Sequence, residues 1–287
     1  MFYRRFKTAV LRENEIDFAL VEEVLIFAVG EDGSEPVDGE ATQYYVAIER
    51  PNLTLGGVVT GMLENEECQT DSVVRQRYSG KVFSVLRVVA KALQHLHSRG
   101  VVHGNVCMEN CGKYNDKWKL ADSLGMQRID RRFESSRFDQ SAPPECIEPA
   151  SNTAMGHQAS FRHGMATETS IDSWAFGKLA YEVLTGEELV EFEKNKNVNQ
   201  DHEALLDIMH WSNFDQEKVL LQLRRVGISN VGIDLIVQCL APRAEGRPNM
   251  DQILKHPLWK ELKRQVVSSG GQQVQRRGRH HNDDEKA

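Results

Sequence analysis

The sequence predicts an α+β fold of two unequal lobes, a small β-containing part followed by a large helical one. Three observations carry this. "VLIFAVG" (24–30) and "YYVAIE" (44–49) are rich in β-branched and aromatic residues and flank the polar stretch "EDGSEPVDGEATQ", as a hairpin with a long loop does. "IDSWAFGKLAYEVLTG" (171–186) is apolar nearly all round, the mark of a helix buried on every side. Beyond it the apolar residues recur at helical spacing almost to the end of the chain.

Taken in order, residues 1–22 place Phe2, Phe6, Val10, Ile16 and Leu20 at roughly helical spacing, so a helix is expected there. After the hairpin, Pro51 in "RPNLTL" breaks the pattern. Lys81–Arg99 is a strong helix, with Val82, Val85, Leu86, Val89, Leu93 and Leu96 on one face and Gly100 as its stop. "VVHGNVCMENCGKYNDKWKLADSLGM" (101–126) reads as two short β-runs around a polar turn, closed by an acidic loop. Shorter helices are expected at Glu203–Trp211, Glu217–Arg224, Val231–Cys239 and Met250–Lys255. The tail from Ser268 is polar and Gly-rich. It lacks the apolar surface that would offset its ordering entropy and is expected to be disordered, with "RRGRHH" as its basic run.

The 287 residues, 40% of them hydrophobic, suffice for one two-lobed domain or two small ones. A net charge of −7 argues against nucleic acid as the main partner. Five cysteines without a framework spacing read as thiols in a reducing compartment, and Cys107 and Cys111 lack the second ligand pair of a zinc site. No stretch approaches the about 18 apolar residues of a membrane span. "MFYRRFKTAVLRENE" turns acidic by Glu13, unlike a signal peptide. An intracellular, cytoplasmic protein with protein partners is expected, its oligomeric state open.

Several stretches, in order, resemble the protein-kinase family. "YYVAIERP" resembles the last small-lobe strand entering the hinge. "HGNVCMEN" (103–110) stands where the family has H-R-D-L-x-x-x-N, and "ADSLG" (121–125) where it has D-F-G. "APPE" (142–145) is similar to A-P-E, and "DSWAFGKLAYEVLTG" to the family's buried long helix. "CLAPRAEGRPNMDQILKHPLW" (239–259) resembles its closing segment. The resemblance implies a protein-kinase-like two-lobe fold. A truncated small lobe would occupy 1–48, the hinge 49–52, a helical lobe 53–264 and the tail 265–287. "HGNVCM…WKL" followed by "PPE" is similar to the Scy-like pseudokinases, whose kinase-like domain precedes helical repeats.

The resemblance assigns roles residue by residue. The base position carries Asn105, and an amide cannot accept the substrate hydroxyl's proton near neutral pH, an assistance worth ~10²–10⁴ in rate. The arginine that docks an activation-loop phosphate is replaced by Gly104, and the lysine near the γ-phosphate by Cys107. Glu49 in the hinge, Asn110 and Asp122 are the cofactor-binding positions, the last two as oxygen ligands for Mg²⁺. His103, Glu145, Asp172 and Arg247 are structural, the Glu145–Arg247 pair being buried in the family. No Gly-x-Gly-x-x-Gly occurs in the chain. Lys7 reads as a surface charge, and residues 1–22 match the family's small-lobe helix, with Glu13 or Glu15 as its glutamate. The segment between Glu145 and Asp172 is longer than the family's and reads as an exposed loop.

Phosphate-handling groups are thus replaced while the charges that hold the fold remain. A pseudokinase acting as scaffold or binding module is expected. The rivals are a serine/threonine protein kinase whose small lobe is missing from this chain, and a domain that keeps nucleotide as a folding ligand. No cofactor is implied with force; ATP and Mg²⁺ would bind weakly.

Overall fold

The computed structural model describes residues 3–6, 24–29, 43–48, 50–121, 126–129, 131–132, 140–150, 158–162, 164–194 and 198–264, the first three stretches by backbone alone. Glu49, Asp122, Lys7, Glu13, Glu15 and the tail 265–287 lie outside the described residues.

β1 (Tyr3–Phe6), β2 (Val24–Val29) and β3 (Gln43–Ile48) form an antiparallel sheet with β2 in the centre. Tyr3 is opposite Phe27, and Val24 opposite Ile48. β2 and β3 are the two runs marked by their β-branched and aromatic content. β1 corrects the helix expected over 1–22, at least at 3–6. Two aromatics in four residues favour extended backbone, and the edge of β2 offers a full ladder of hydrogen bonds that helical spacing does not anticipate.

A short β4 (Leu53–Thr54) leads into α1 (Leu55–Glu64) and α2 (Glu66–Thr70), neither of which the sequence pattern announced. Both are held by local caps. Thr54 Oγ1 accepts the Gly57 N–H at 3.1 Å, and Asn65 Oδ1 accepts the Cys68 N–H at 3.1 Å. α3 (Ser72–Ser98) starts well before Lys81, where Asp71 accepts the N–H groups of Val73 and Val74. Its apolar face is buried at Val82, Val85, Leu86, Val89, Leu93 and Leu96. Gly100, at φ +71°, ends it by donating to the carbonyl of His97.

Next come β5 (Val101–Val102), β6 (Cys111–Tyr114), β7 (Lys117–Leu120) and β8 (Gln127–Arg128). β6 and β7 pair over Asn115 and Asp116, both at positive φ, as a two-residue hairpin turn requires. β4 pairs with β6 and β5 with β8, so residues 103–110 emerge between two small sheets.

β9 (Ile147–Pro149) and β10 (Ala159–Phe161) pair antiparallel. This corrects the exposed loop expected after Glu145. Ile147, Ala159 and Phe161 are buried in the main core, because the alternation of the two strands turns these apolar side chains inward, and Cys146, just before β9, is buried there too.

α4 (Ser170–Thr185) is the axis of the helical part, and every residue after Ser170 is buried. Around it stand α5 (His202–Met209), α6 (Asn213–Arg225), α7 (Asn230–Cys239), α8 (Met250–Lys255) and a helical segment at 258–264. A Cβ on Gly177 would meet the Cβ of Cys239 at 2.7 Å, so glycine lets α7 close onto α4. Among the described residues no helix is long and apolar enough to cross a membrane.

Candidate functional site

The site is built on Asp172, in the first turn of α4 and fully buried. Its Oδ2 accepts the backbone N–H of His103 at 2.8 Å, and its Oδ1 that of Gly104 at 2.9 Å. His97 Nε2, at the end of α3, lies 2.8 Å from the same Oδ2. One carboxylate thus joins two helices to the loop after β5. Burial alone would raise its pKa. The hydrogen bond from His97, the electrostatic pull of the His97 and His103 rings, and the Gly104 N–H outweigh burial and hold the carboxyl below the usual carboxylate range.

The loop's conformation follows from these anchors. His103 is wholly buried, and its Nδ1 faces the Asn105 N–H at 3.3 Å. That assigns the proton to Nε2, which donates to the Ala121 carbonyl at 2.8 Å. Gly104 adopts φ +77°, a left-handed conformation in which glycine is unstrained. The Asn110 amide donates to the carbonyl of Asn105 at 2.9 Å, and the Asn110 carbonyl accepts the Ala121 N–H at 2.7 Å. His103, Asn105, Asn110 and Asp172 therefore share one connected network. Half-buried Cys107 stands between Asn105 and Asn110 in sequence, and Cys111 is buried. Burial, then the nearby Cys107 and Glu109, push the Cys111 thiol far above its ordinary range, so it is no thiolate near neutral pH.

A second tie reaches α4 from the other side. Arg247 meets Glu145 fork to fork, at 2.7 and 2.8 Å. The guanidinium also donates to the carbonyls of Ala241, Ser170 and Pro242 and lies 4.9 Å from the Trp174 ring centroid. The Arg247 side chain is 0% exposed and that of Glu145 26%, so only one partner is fully desolvated.

A Mg²⁺ ion needs a shell of oxygen ligands, usually with at least one carboxylate. Of the two residues expected as Mg²⁺ ligands, Asn110 lies among the described residues, with its amide nitrogen committed to the Asn105 carbonyl.

His97 escaped the sequence reading. The available signal was its place one helical turn after Leu93, on the buried stripe of α3, where a polar side chain needs a partner.

The geometry is that of a kinase fold: a loop hung from the buried central helix, with an arginine–glutamate clamp beside it. A family model described as Protein kinase domain matches residues 58–259, and the chain belongs to that family. It is similar to the serine/threonine-protein kinase SBK1 of Mus musculus, 26% identical over 228 residues, or 71% of this chain and 50% of that protein. It is also similar to the probable serine/threonine-protein kinase PLK of Dictyostelium discoideum, 25% identical over 171 residues, or 60% of this chain and 15% of that protein. The chain thus spans half or less of the length of these relatives. Among solved structures, a rhoptry kinase from Toxoplasma gondii superposes with a TM-score of 0.56 at 14% identity, over 87% of this chain and 60% of that one. The CAK complex from Chaetomium thermophilum bound to ATP-gamma-S gives 0.54 at 13% identity, over 82% and 71%. These likenesses speak for the fold alone.

Proposed function

We propose that this chain is a pseudokinase, a kinase-fold protein that works by binding other proteins rather than by transferring phosphate. The observation that carries the reading is Asn105. It sits in a loop fixed by Asp172, His103 and Asn110; the family resemblance puts the catalytic carboxylate at this position, and an amide accepts no proton near neutral pH. Gly104 and Cys107 support the same reading, because each replaces a cation that the chemistry uses. The likeness of "HGNVCM…WKL" and "PPE" to the Scy-like pseudokinases also supports it. A cytoplasmic location and weak, non-catalytic contact with ATP and Mg²⁺ through Glu49, Asn110 and Asp122 belong to this proposal. The second reading, a serine/threonine kinase, draws on the similarity to serine/threonine-protein kinases.

The test is transfer of radiolabelled phosphate from Mg·ATP to a generic basic protein and to the chain itself, beside a melting curve with and without nucleotide. No transfer and no clear melting shift at millimolar Mg·ATP are expected. A ligand of the folded state raises stability by RT ln(1 + [L]/Kd), so a tight nucleotide would be visible. Transfer by the wild-type chain that is lost in Asp122→Ala overturns the proposal.

A further inference from the structure

Far from the loop, the helical part carries a groove of about 950 Å³ between the end of α4, the 187–193 segment, α5 and α6. Its floor is apolar, made by Val190, Phe192 and Trp211, each at most 9% exposed. Its walls carry seven carboxylates and one lysine. The lysine, Lys218, is already taken by Asp215 at 3.0 Å. Asp201 caps α5 and receives the Glu193 N–H, and Glu187 accepts from Gln222. Glu191, Glu203 and Asp207 are exposed and enter no hydrogen bond or ion pair among the described residues. An apolar floor with a rim on which Glu191, Glu203 and Asp207 stay exposed fits an extended basic peptide, whose arginines can meet carboxylates in pairs while their stems cover the floor.

We propose that the occupant is the chain's own basic run, Arg276–His281. Three arginines and two histidines in "RRGRHH" complement the rim in sign. The described residues end at Arg264, and the twelve residues from there to Arg276 would reach about 40 Å if extended, on the order of the diameter of the folded body. Between them the sequence carries Ser268, Ser269, Gly270 and Gly271, a composition that suits a linker. Tethering gives the run an effective concentration on the order of millimolar at the groove, so even weak charge pairing fills it. A free basic segment of another protein would have to displace the tail. The groove is therefore a self-occupied docking site for basic peptides.

The experiment follows trypsin cleavage after Arg276, Arg277 and Arg279 in the full chain by intact mass. It compares wild type with the triple variant E191Q/E203Q/D207N, whose changes lie on the exposed rim. In low salt the wild-type tail should be cut about fivefold more slowly, since cleavage follows the undocked fraction. The difference should vanish near 1 M salt, where the Debye length falls to about 3 Å. A labelled peptide of the tail sequence should bind the R276S/R277S/R279S chain and bind wild type more weakly, because the tethered tail competes. Equal cleavage of wild type and rim variant, or no binding of the peptide to the tail variant, overturns the proposal. Protection that grows with protein concentration assigns the groove to a second copy's tail and overturns the intramolecular seat.

Discussion

Asp172 holds Gly104 by its backbone: Oδ1 accepts the N–H at 2.9 Å while the glycine stands at φ +77°. The anchor and the left-handed turn are one feature, since the N–H reaches the carboxylate in this backbone conformation. A side chain at 104 would have to adopt it too, at a cost of about 1–2 kcal/mol for an L-residue. Gly104→Arg, which installs the family's usual residue, should therefore lower unfolding stability by about that amount in urea titration. A variant as stable as wild type would show that the turn tolerates a side chain.

The depressed pKa of Asp172 makes stability depend on acid. The group is charged when folded at a pH where the unfolded carboxyl, near 3.9, is already taking protons. Its contribution is present above about pH 4 and is lost as pH falls through the lower folded value. Asp172→Asn should be markedly less stable than wild type at pH 7, because it removes the charge and turns one of the two acceptor oxygens that serve His97, His103 and Gly104 into an NH2 donor, and the gap should narrow on acidification. Denaturant titrations of both proteins from pH 7 downward measure it. A gap that stays constant with pH would remove the carboxylate's charge from the account.

How much of this was legible in the sequence differs by element. α4 could be read because an all-apolar circumference has one physical meaning, and the buried face of α3 because six apolar residues keep helical register. α1 was hidden by Gly56 and Gly57, which weaken helical propensity, and it is held by the Thr54 cap and by burial of Leu55, Val59 and Met62. β1 was misread because helical spacing and strand pairing compete for the same aromatics, and a partner strand decides. The buried β9–β10 hairpin was lost in a composition that looks like a loop. At the site, the family resemblance singles out 103, 105, 110 and 172, and in the structure these residues share one hydrogen-bond network. The His97–Asp172 contact bridges 75 positions and depends on how α3 and α4 cross, which no local pattern encodes.

The Glu145–Arg247 pair has unequal partners, and its variants should differ accordingly. Arg247 is fully desolvated and serves three carbonyls besides Glu145. Glu145→Gln leaves the fully desolvated guanidinium without its counter-charge, so a loss of about 3–5 kcal/mol is expected. Arg247→Ala leaves a carboxylate that water can reach, and its loss comes from the three carbonyls and the cover over Trp174 that it abandons, about 1–3 kcal/mol. Thermal melts of the two variants check the order. Equal melting of Arg247→Ala and wild type would mean that the clamp contributes nothing to the fold.

Asn105→Asp restores a carboxylate in a loop that is already hung from Asp172 and tied to Asn110. Were the base the only defect, phosphoryl transfer should appear, because general-base assistance is worth ~10²–10⁴ in rate. No gain is expected. In this chemistry positioning and charge stabilisation of the transferred group outweigh removal of the proton. The chain contains no Gly-x-Gly-x-x-Gly to hold the phosphates, and Cys107 brings no positive charge to the γ-phosphate's place. The new carboxylate would face a phosphate that nothing fixes, and its own negative charge would repel it. The assay is radiolabelled transfer by wild type, Asn105→Asp and the double variant Asn105→Asp/Cys107→Lys. The first two should be silent, and the third should gain at most a trace, since it still lacks the phosphate-covering loop. Activity appearing in Asn105→Asp alone would mean that phosphate is positioned by another route, and that one amide separates this chain from an enzyme.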